Sequence, residues 1–211
     1  MKVRLSRIHF PVTALGPGRR IGIWFQGCRN ACPGCISRDT WSCDGGHLIE
    51  VIELFENCYR MTNGRIDGIT ITGGEPFEQP DGLNALLDVF EEWRMKEEFD
   101  ILCYSGLSLN RLQNEYMPLL ERIDVIIPEP FIQGCPSRGI WRGSDNQPLI
   151  ALSSRGKKRY AVIPDGPPPI QVCISDGAIW FIGIPRPGDM DRVLALAKER
   201  GLVMENLSWR T

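Results

Sequence analysis

Apolar and polar positions alternate between two periods along the first two thirds of the chain. Short β-branched or apolar runs predict strands over 20–26, 67–72, 99–106 and 123–131, the last closed by Pro128. Apolar residues at helical spacing lie between these runs and predict three helices, over Leu48–Tyr59, over Leu83–Trp93 and over 107–117, where Pro118 should stop the helix. Strands that alternate with helices predict a mostly parallel sheet, whose ligand sites lie at the carboxyl ends of the strands.

The last quarter of the chain has a different pattern. A proline-rich break at 164–170 is followed by two apolar runs on either side of Asp176-Gly177, which predict a β-hairpin over 170–184. A last helix over 189–200 should end at Gly201, because glycine readily adopts the left-handed conformation that closes a helix. We therefore divide the chain into a core, 1–156, and a C-terminal hairpin-helix appendage, 157–211, packed on that core. The hairpin could hold a partner or cover the edge of the sheet, and we favour the second.

Composition narrows the function classes. The chain has 211 residues, 43% apolar content and a formal net charge of -2, so it can bury one sizeable core. No Lys/Arg run forms a stripe that would follow a phosphate backbone, and no stretch approaches the roughly 20 apolar residues of a membrane span. The N-terminus lacks the apolar region of a signal peptide. We expect a cytoplasmic protein with reduced cysteines and without nucleic acid or membrane as a partner.

The stretch "QGCRNACPGC" carries the most specific chemistry in the sequence. It places Cys28, Cys32 and Cys35 in a loop rich in Gly, Pro and Asn, so the spacing does not follow a buried helix face. Four interpretations compete: buried structural cysteines, a zinc site, a closed iron-sulfur electron carrier, and an open iron-sulfur site. Cys43 could supply a fourth ligand, which keeps zinc or a closed cluster possible. Three thiolates on a four-iron cluster would instead leave one iron free to bind a substrate.

The cysteine loop and several later segments resemble radical SAM enzymes, and in particular the glycyl-radical activating enzymes. "GPGRRIGIWFQGCRNACPGCISRDTW" resembles the opening of that family, and "DGITITGGEPFEQ" and "YSGLSLNRL" resemble its second and third motifs. "IDVIIPEPF" and "WRGSDNQ" resemble the anaerobic ribonucleotide reductase activating enzymes. The resemblance extends over roughly residues 14–150. It leaves the C-terminal appendage without a counterpart in the shortest members.

The resemblance implies a fold and an activity. The fold would be α/β, an incomplete (β/α) barrel of the radical SAM type with a C-terminal β-hairpin and helix. A 4Fe-4S cluster on Cys28, Cys32 and Cys35 would bind S-adenosyl-L-methionine at its fourth iron. Reductive cleavage would give methionine and a 5'-deoxyadenosyl radical, which abstracts a hydrogen atom. The implied protein is an oxidoreductase that installs a glycyl radical on a protein partner such as an anaerobic ribonucleotide reductase, with a flavodoxin- or ferredoxin-type electron donor.

The second motif also has a physical interpretation. Gly73 and Gly74 lack Cβ atoms and allow a ligand close to the backbone, Glu75 could receive an ammonium group, and Pro76 stiffens the turn. A simple turn at the end of a strand is the alternative interpretation. Behind a three-cysteine loop the cofactor-binding interpretation is the stronger one.

The resemblance extends the cofactor site to residues from four other segments. The full set adds positions at and beside the third cysteine, at the end of the third predicted strand, near the end of the fourth and in the last motif: Gly34, Cys35, Ile36, Tyr104, Ser105, Glu129 and Arg142. Tyr104 and Ser105 would line the methionine or ribose side, although a turn explains them nearly as well. The chain has Pro128-Glu129 where activating enzymes usually have Asp-Gly, so the carboxylate is displaced by one residue.

Two other functions remain compatible with the sequence. A radical SAM enzyme could modify a peptide or a small molecule directly, because cluster and cofactor residues do not specify which group loses the hydrogen atom. A non-catalytic iron-sulfur or zinc protein is the alternative from another class. Glu75 and the two glycines before it argue against that alternative, because an electron carrier needs no cofactor groove.

Overall fold

The structure is a computed structural model that describes residues 1–166, 168–175 and 177–210. A seven-stranded sheet has the strand order β3-β1-β2-β4-β5-β6-β7, and β8 and β9 form a separate hairpin. The strands are β1 (Lys2–Val12), β2 (Arg20–Phe25), β3 (His47–Glu50), β4 (Gly68–Gly73), β5 (Asp100–Tyr104), β6 (Val125–Ile127), β7 (Ile150–Ala151), β8 (Ile170–Ser175) and β9 (Ala178–Gly183). The helices are α1 (Val51–Thr62), α2 (Pro80–Arg94), α3 (Leu109–Glu115), α4 (Met117–Leu120), α5 (Ser154–Arg159) and α6 (Asp189–Glu199).

Four parallel strands form the centre of the sheet. The neighbours β2, β4, β5 and β6 pair in parallel, while β1, β3 and β7 pair antiparallel towards the edges. All six residues of β2 are buried, as expected for a strand covered on both faces. The prediction of an α/β fold with a mostly parallel central sheet is confirmed.

The two faces of the sheet carry separate apolar clusters. Because successive side chains of a strand point to opposite faces, Ile21, Ile23 and Phe25 belong to the large cluster under α1, α2, α3 and α4. Trp24 points to the other face, where it packs with Val12, Leu15 and Ile182. A third cluster on that other face contains Leu102, Val125, Ile127, Ile140, Trp141 and Tyr160.

The first helix differs from its prediction at its amino end. The predicted helix began at Leu48, but His47–Glu50 forms β3, which pairs with β1, and α1 begins at Val51. Leu48 and Ile52 were predicted to lie on the buried face, yet they are 53% and 59% exposed. The buried face is made instead by Val51, Leu54, Cys58 and Thr62. The prediction was wrong there because a pairing with a distant strand outweighed the local helical spacing.

Pro118 begins a helix where it was predicted to stop one. The helix predicted over 107–117 is divided into α3 and α4, and Pro118 lies in the first turn of α4. A proline is tolerated in that turn because its missing N–H would have no partner within the helix. The strand predicted at 67–72 is confirmed as β4, shifted by one residue, and those predicted at 99–106 and 123–131 are confirmed as β5 and β6 with shorter bounds.

A buried ion pair ties together the amino ends of the parallel strands. Arg20 at the start of β2 is fully buried and donates to both carboxylate oxygens of Asp100, at 2.9 and 2.7 Å. The guanidinium also donates to Thr70 Oγ1 at 2.7 Å, and the Tyr160 hydroxyl donates to Asp100 at 2.9 Å. These side chains lie at the end of the sheet opposite the carboxyl ends of the parallel strands.

The C-terminal segment packs on the sheet face that carries Trp24. Ile182 of β9 is buried in the cluster with Trp24, and Gln171 of β8 accepts from the Thr13 N–H at 3.0 Å. The amide of Gln171 donates to the Pro11 carbonyl at 2.7 Å. The predicted hairpin is confirmed as β8 and β9, although Asp176 of its predicted turn lies outside the described residues, as does Pro167 of the proline-rich break. Gly201 follows α6 with φ +74°.

The proposed division at 156/157 falls within α5, which spans Ser154–Arg159. None of the helices in the described ranges combines the length and apolar character needed to cross a membrane.

Candidate cluster and cofactor site

The cysteine loop leaves the carboxyl end of β2 and is pinned at both ends. The N–H groups of Gly27 and Cys28 donate to the carbonyls of Thr40 and Trp41, at 2.8 and 3.0 Å. Gln26 is buried, and its amide donates to two further carbonyls of the same loop. The loop between these points therefore starts and ends at fixed positions beside the strand.

Cys28, Cys32 and Cys35 line one cavity of about 880 Å³. All three are free and half-buried, whereas Cys43 is exposed and lies outside the lining. Burial raises the pKa of Cys28 to about 11 and also raises the pKa of Cys35. Such thiols lose their protons when a metal supplies the compensating positive charge. These three cysteines therefore fit a cluster that is held by three thiolates and does not use Cys43 as a ligand.

The arrangement of the three cysteines differs from that of a site for one ion. Within residues 1–166, 168–175 and 177–210, no three His, Cys, Asp or Glu side chains converge to hold a single metal ion. In a four-iron cluster each thiolate binds a different iron, so the sulfurs stand farther apart than the ligands of one ion. Three cysteines around a shared cavity suit the wider arrangement.

The turn after β4 is bonded to the cysteine loop. Gly73 ends β4 with φ +97°, a conformation that favours glycine. A Cβ at Gly74 would collide with the carbonyl oxygen of Gly27, so only glycine allows the two segments to approach so closely. The N–H of Glu75 donates to that same carbonyl at 2.8 Å. The two loops that the sequence singled out are thus one hydrogen-bonded unit.

Glu75 is a fully buried carboxylate that lines the cavity. It accepts from the Ser105 hydroxyl at 2.9 Å, the Gly106 N–H at 2.7 Å, the Phe77 N–H at 3.2 Å and the Asn30 amide at 3.4 Å. Among the described residues its contacts include no Lys, Arg or His. Burial raises its pKa to about 7. A buried carboxylate without a cationic partner is a favourable place for a positively charged ligand group.

The ends of β5 and β6 supply another side of the cavity. Tyr104 lines it and donates its hydroxyl to the Trp141 carbonyl at 2.8 Å. Glu129 follows β6 with φ +83°, and its carboxylate accepts from the Leu109 N–H at 2.9 Å, at the start of α3. The activating enzymes usually have glycine at this position, for which the left-handed conformation carries no penalty. Glu129 adopts this left-handed conformation without being glycine and brings a carboxylate to the cavity.

The loop before β7 closes the same side. Arg142 is half-buried, lines the cavity and donates to Asp145 Oδ1 at 3.3 Å. Gln147 also lines the cavity and donates its amide to the Glu129 carbonyl at 2.8 Å. These bonds hold the loop against the end of β6.

One cavity brings together all but one of the site residues taken from the sequence. Pro76 is buried at the start of a short 3-10 turn and does not contribute to the lining. The residues that share the cavity are Cys28, Cys32, Gly34, Cys35, Ile36, Gly73, Gly74, Glu75, Tyr104, Ser105, Glu129 and Arg142. Their individual roles remain predictions.

The cavity also has residues that sequence reasoning missed. Asn30 and Gly106 contact Glu75, and Phe131 and Gln133 follow β6. A signal for Asn30 was its place between two cysteines. A larger omission is the C-terminal segment, which contributes residues between Ile184 and Asp191, together with Trp209, to the lining.

The 4Fe-4S single cluster domain model matches residues 14–150, about two thirds of the chain. The chain belongs to this 4Fe-4S family. Three bacterial and phage relatives carry the name anaerobic ribonucleoside-triphosphate reductase-activating protein. The one from Vibrio cholerae is 33% identical over 146 residues, 66% of this chain and 92% of the relative. The Enterobacteria phage T4 protein is 30% identical over 135 residues, 64% and 85% of the two chains, and the Escherichia coli K12 protein is 29% identical over 144 residues, 66% and 93%.

Among solved structures, the chain is similar to QueE from Escherichia coli with a TM-score of 0.41 and 16% sequence identity, over 61% of this chain and 71% of QueE. The match to the 4Fe-4S family and the named relatives confirms the family recognised from the sequence, that of the activating proteins of anaerobic ribonucleoside-triphosphate reductase. The expectation of a 4Fe-4S cluster is confirmed by the same family match. The matched family segment ends before the C-terminal appendage.

Proposed function

We propose that this chain cleaves S-adenosylmethionine reductively at a 4Fe-4S cluster and generates a glycyl radical on an anaerobic ribonucleoside-triphosphate reductase. One observation carries the proposal: three free cysteines and a buried carboxylate without a cationic partner line one cavity, at the carboxyl ends of parallel strands. The names of the relatives supply the partner. The sheet and its cavity support an incomplete (β/α) barrel of the radical SAM type as the fold.

Different residues of the chain would bind the cluster and the cofactor. Cys28, Cys32 and Cys35 would hold the cluster, and Gly73 and Gly74 would admit the cofactor close to the backbone. When bound, the cluster and S-adenosylmethionine supply the electron transfer and the radical chemistry. The protein orients these groups and keeps water from them.

Glu75 would receive the ammonium group of S-adenosylmethionine. Its four donors fix the carboxylate, and the charge left without a cation would be balanced by that ammonium. Tyr104, Ser105 and Glu129 would contact the remainder of the cofactor. Arg142 would lie beside the carboxylate group of the cofactor. Gly34 and Ile36, next to the third cysteine, would leave room for the base.

The partner would be a protein that inserts a loop into the cavity. We infer a flavodoxin- or ferredoxin-type electron donor, since the cluster must be reduced before each cleavage. The cytoplasm is the compartment that suits reduced cysteines and this chemistry. Nucleic acid and membrane are not part of the proposal.

The experiment combines cluster, cofactor and partner. After anaerobic reconstitution with iron and sulfide, we expect about four irons per chain, and 5'-deoxyadenosine on reduction with S-adenosylmethionine present. With a purified anaerobic ribonucleoside-triphosphate reductase added, we expect the doublet of a protein glycyl radical by electron spin resonance. Deoxyadenosine without a radical on the reductase, together with a mass change in a peptide or metabolite, would replace this function by direct modification of that substrate.

A further inference from the structure

The cavity has a wall that lies outside the family-matched segment. It comprises Pro168, residues 184–188, Met190, Asp191 and Trp209, which we call the C-terminal wall, and the family model ends at residue 150. The relatives are matched over 85–93% of their own length by 63–66% of this chain, so about a third of this chain has no counterpart in those matches. The cavity therefore combines the family-matched segment with a segment that follows it.

The C-terminal wall is held on the sheet by specific contacts. Immediately before residues 184–188, Ile182 is buried with Trp24, and the Arg7 guanidinium lies over the rings of both Trp180, in the same strand, and Trp24. The guanidinium carbon is 5.0 Å from the ring centroid of Trp180 and 5.3 Å from that of Trp24. Together with the bonds of Gln171 to β1 and the segment after it, these contacts fix the wall beside the cavity.

The wall is also stiff by itself. Pro185 and Pro187 restrict their own backbone, and the Arg186 N–H donates to Asp189 Oδ2 at 2.8 Å across the start of α6. Trp209 packs edge-on against Phe181 of β9, with ring centroids 5.9 Å apart. A surface ordered in advance loses little entropy when a partner binds to it.

The C-terminal wall and the loop 131–139 both line the cavity, as do the cysteine loop and the strand ends. The loop 131–139 contributes Arg138, whose side chain is 92% exposed, and the wall contributes the exposed Arg186. The wall's own acid, Asp191, is paired with Arg210 at 2.7 Å. Arg138 lies 3.9 Å from Asp145, so Arg186 is the exposed cation of the lining that has no ion pair among the described residues.

We propose that the C-terminal wall selects the protein partner, by contacting a peptide loop of the reductase that carries acidic residues beside the reacting one. This inference rests on the proposed function and identifies the surface that recognises its substrate. An extended loop that enters this cavity would bring its acidic side chains beside Arg186. Arg186 is a specificity-determining residue in this account, because it lies on the wall that the family segment lacks.

The test compares two charge reversals in the same appendage. Arg186→Glu changes the wall, and Arg200→Glu changes an exposed residue after α6 that does not line the cavity. Anaerobically reconstituted chains are titrated with purified anaerobic ribonucleoside-triphosphate reductase of the same organism, at low and at physiological salt. We expect Arg186→Glu to raise the Kd about tenfold and to weaken its salt dependence, as for a charge at an interface rim. Arg200→Glu should keep the Kd of the unchanged chain.

The outcomes distinguish a failure of the selecting wall from a failure of the proposed function. A glycyl radical on the reductase, with equal Kd values for Arg186→Glu and the unchanged chain, overturns the selecting wall and leaves the proposed function standing. S-adenosylmethionine cleavage without a radical on the reductase overturns the proposed function and the wall with it. A change from dimer to monomer in Arg186→Glu, seen by light scattering, would assign the wall to a second copy of this chain instead.

Discussion

Replacing Glu75 by Gln tests the part of the site that binds the cofactor. The side chain is fully buried, lines the cavity and has four hydrogen-bond donors but no cation among the described residues. Gln keeps the size and removes the charge. We expect the variant to retain its iron and to lose affinity for S-adenosylmethionine, because the ammonium group would meet a neutral amide.

The structure sets the size of this effect. Removing one partner of a desolvated charge pair costs about 2–5 kcal/mol, which corresponds to roughly 30- to 4,000-fold in Kd. Burial raises the pKa of Glu75 from its ordinary 4.5 to about 7, so the unliganded carboxyl is about half protonated at neutral pH. Because the ammonium pairs with the ionised form, the affinity of the unchanged chain should fall as the pH drops below about 7. The variant should lack that dependence.

The same pKa shift has a consequence for the stability of the cofactor-free chain. The folded-state pKa lies above the ordinary value, so the contribution of Glu75 is fully present below about pH 4.5 and is lost as the pH rises towards about 7. The loss amounts to about 3 kcal/mol at 1.36 kcal/mol for each pKa unit. Denaturant unfolding of the iron-free chain at several pH values should show this decline, and Glu75→Gln should remove it.

The assay is an equilibrium titration of S-adenosylmethionine into the reconstituted enzyme at pH 8, where Glu75 is ionised. Glu78→Gln is the matched control, because Glu78 carries the same charge three residues later and accepts from the Arg29 N–H at 3.0 Å without lining the cavity. An unchanged Kd in Glu75→Gln, with full iron content, would show that the ammonium binds elsewhere. A pH-independent Kd in the unchanged chain would refute the assigned ionisation.

Three further predictions address the cluster, the turn and the sheet. Cys28→Ala should lose bound iron and S-adenosylmethionine cleavage, while Cys43→Ala keeps both, as measured by iron content and deoxyadenosine; the reverse result would reassign the ligands. Gly74→Ala should lose S-adenosylmethionine affinity in a titration, because its methyl group would displace the cysteine loop, and a normal Kd would contradict that packing. Asp100→Asn should lower the free energy of unfolding by about 3–5 kcal/mol, since Arg20 would remain buried without its counter-charge, and a loss below 1 kcal/mol in denaturant titration would refute this.

The cluster and cofactor residues were predictable because their signal is local. Cys28, Cys32 and Cys35 lie within one short loop, and Gly73 to Glu75 directly follow a strand that β-branched residues mark clearly. Parallel direction then places the two loops at the same edge of the sheet, and the pairing of β2 with β4 places them side by side.

The antiparallel edge of the sheet was harder to predict. β3 has only four residues, and its exposed Leu48 fell into the helical spacing of α1. Its strand character comes from pairing with β1, in which Lys2 faces Glu50 and Leu5 faces His47. A register between segments more than forty residues apart leaves no local pattern in either of them.

The C-terminal wall could not be predicted for a similar reason. The sequence around Ile184 to Gly188 reads as a proline-rich connection, and its role follows only from where the hairpin lies on the sheet. That placement depends on Ile182 beside Trp24 and on single hydrogen bonds from Gln171, which link residues about 160 positions apart. Side-chain contacts between residues so far apart in the chain leave no periodic pattern in the sequence.

The fold assigns the chemistry and the C-terminal wall to different parts of the chain. The groups that would carry out the chemistry belong to the segment shared with the relatives, whereas the C-terminal wall follows that segment and touches the sheet mainly through the β8–β9 hairpin. Substitutions or insertions in the wall can therefore accumulate without disturbing the cysteine loop or the turn after β4. An ancestral activator could acquire a new recipient for its radical by lengthening its C-terminus, and a protein engineer could redirect one by exchanging the same segment.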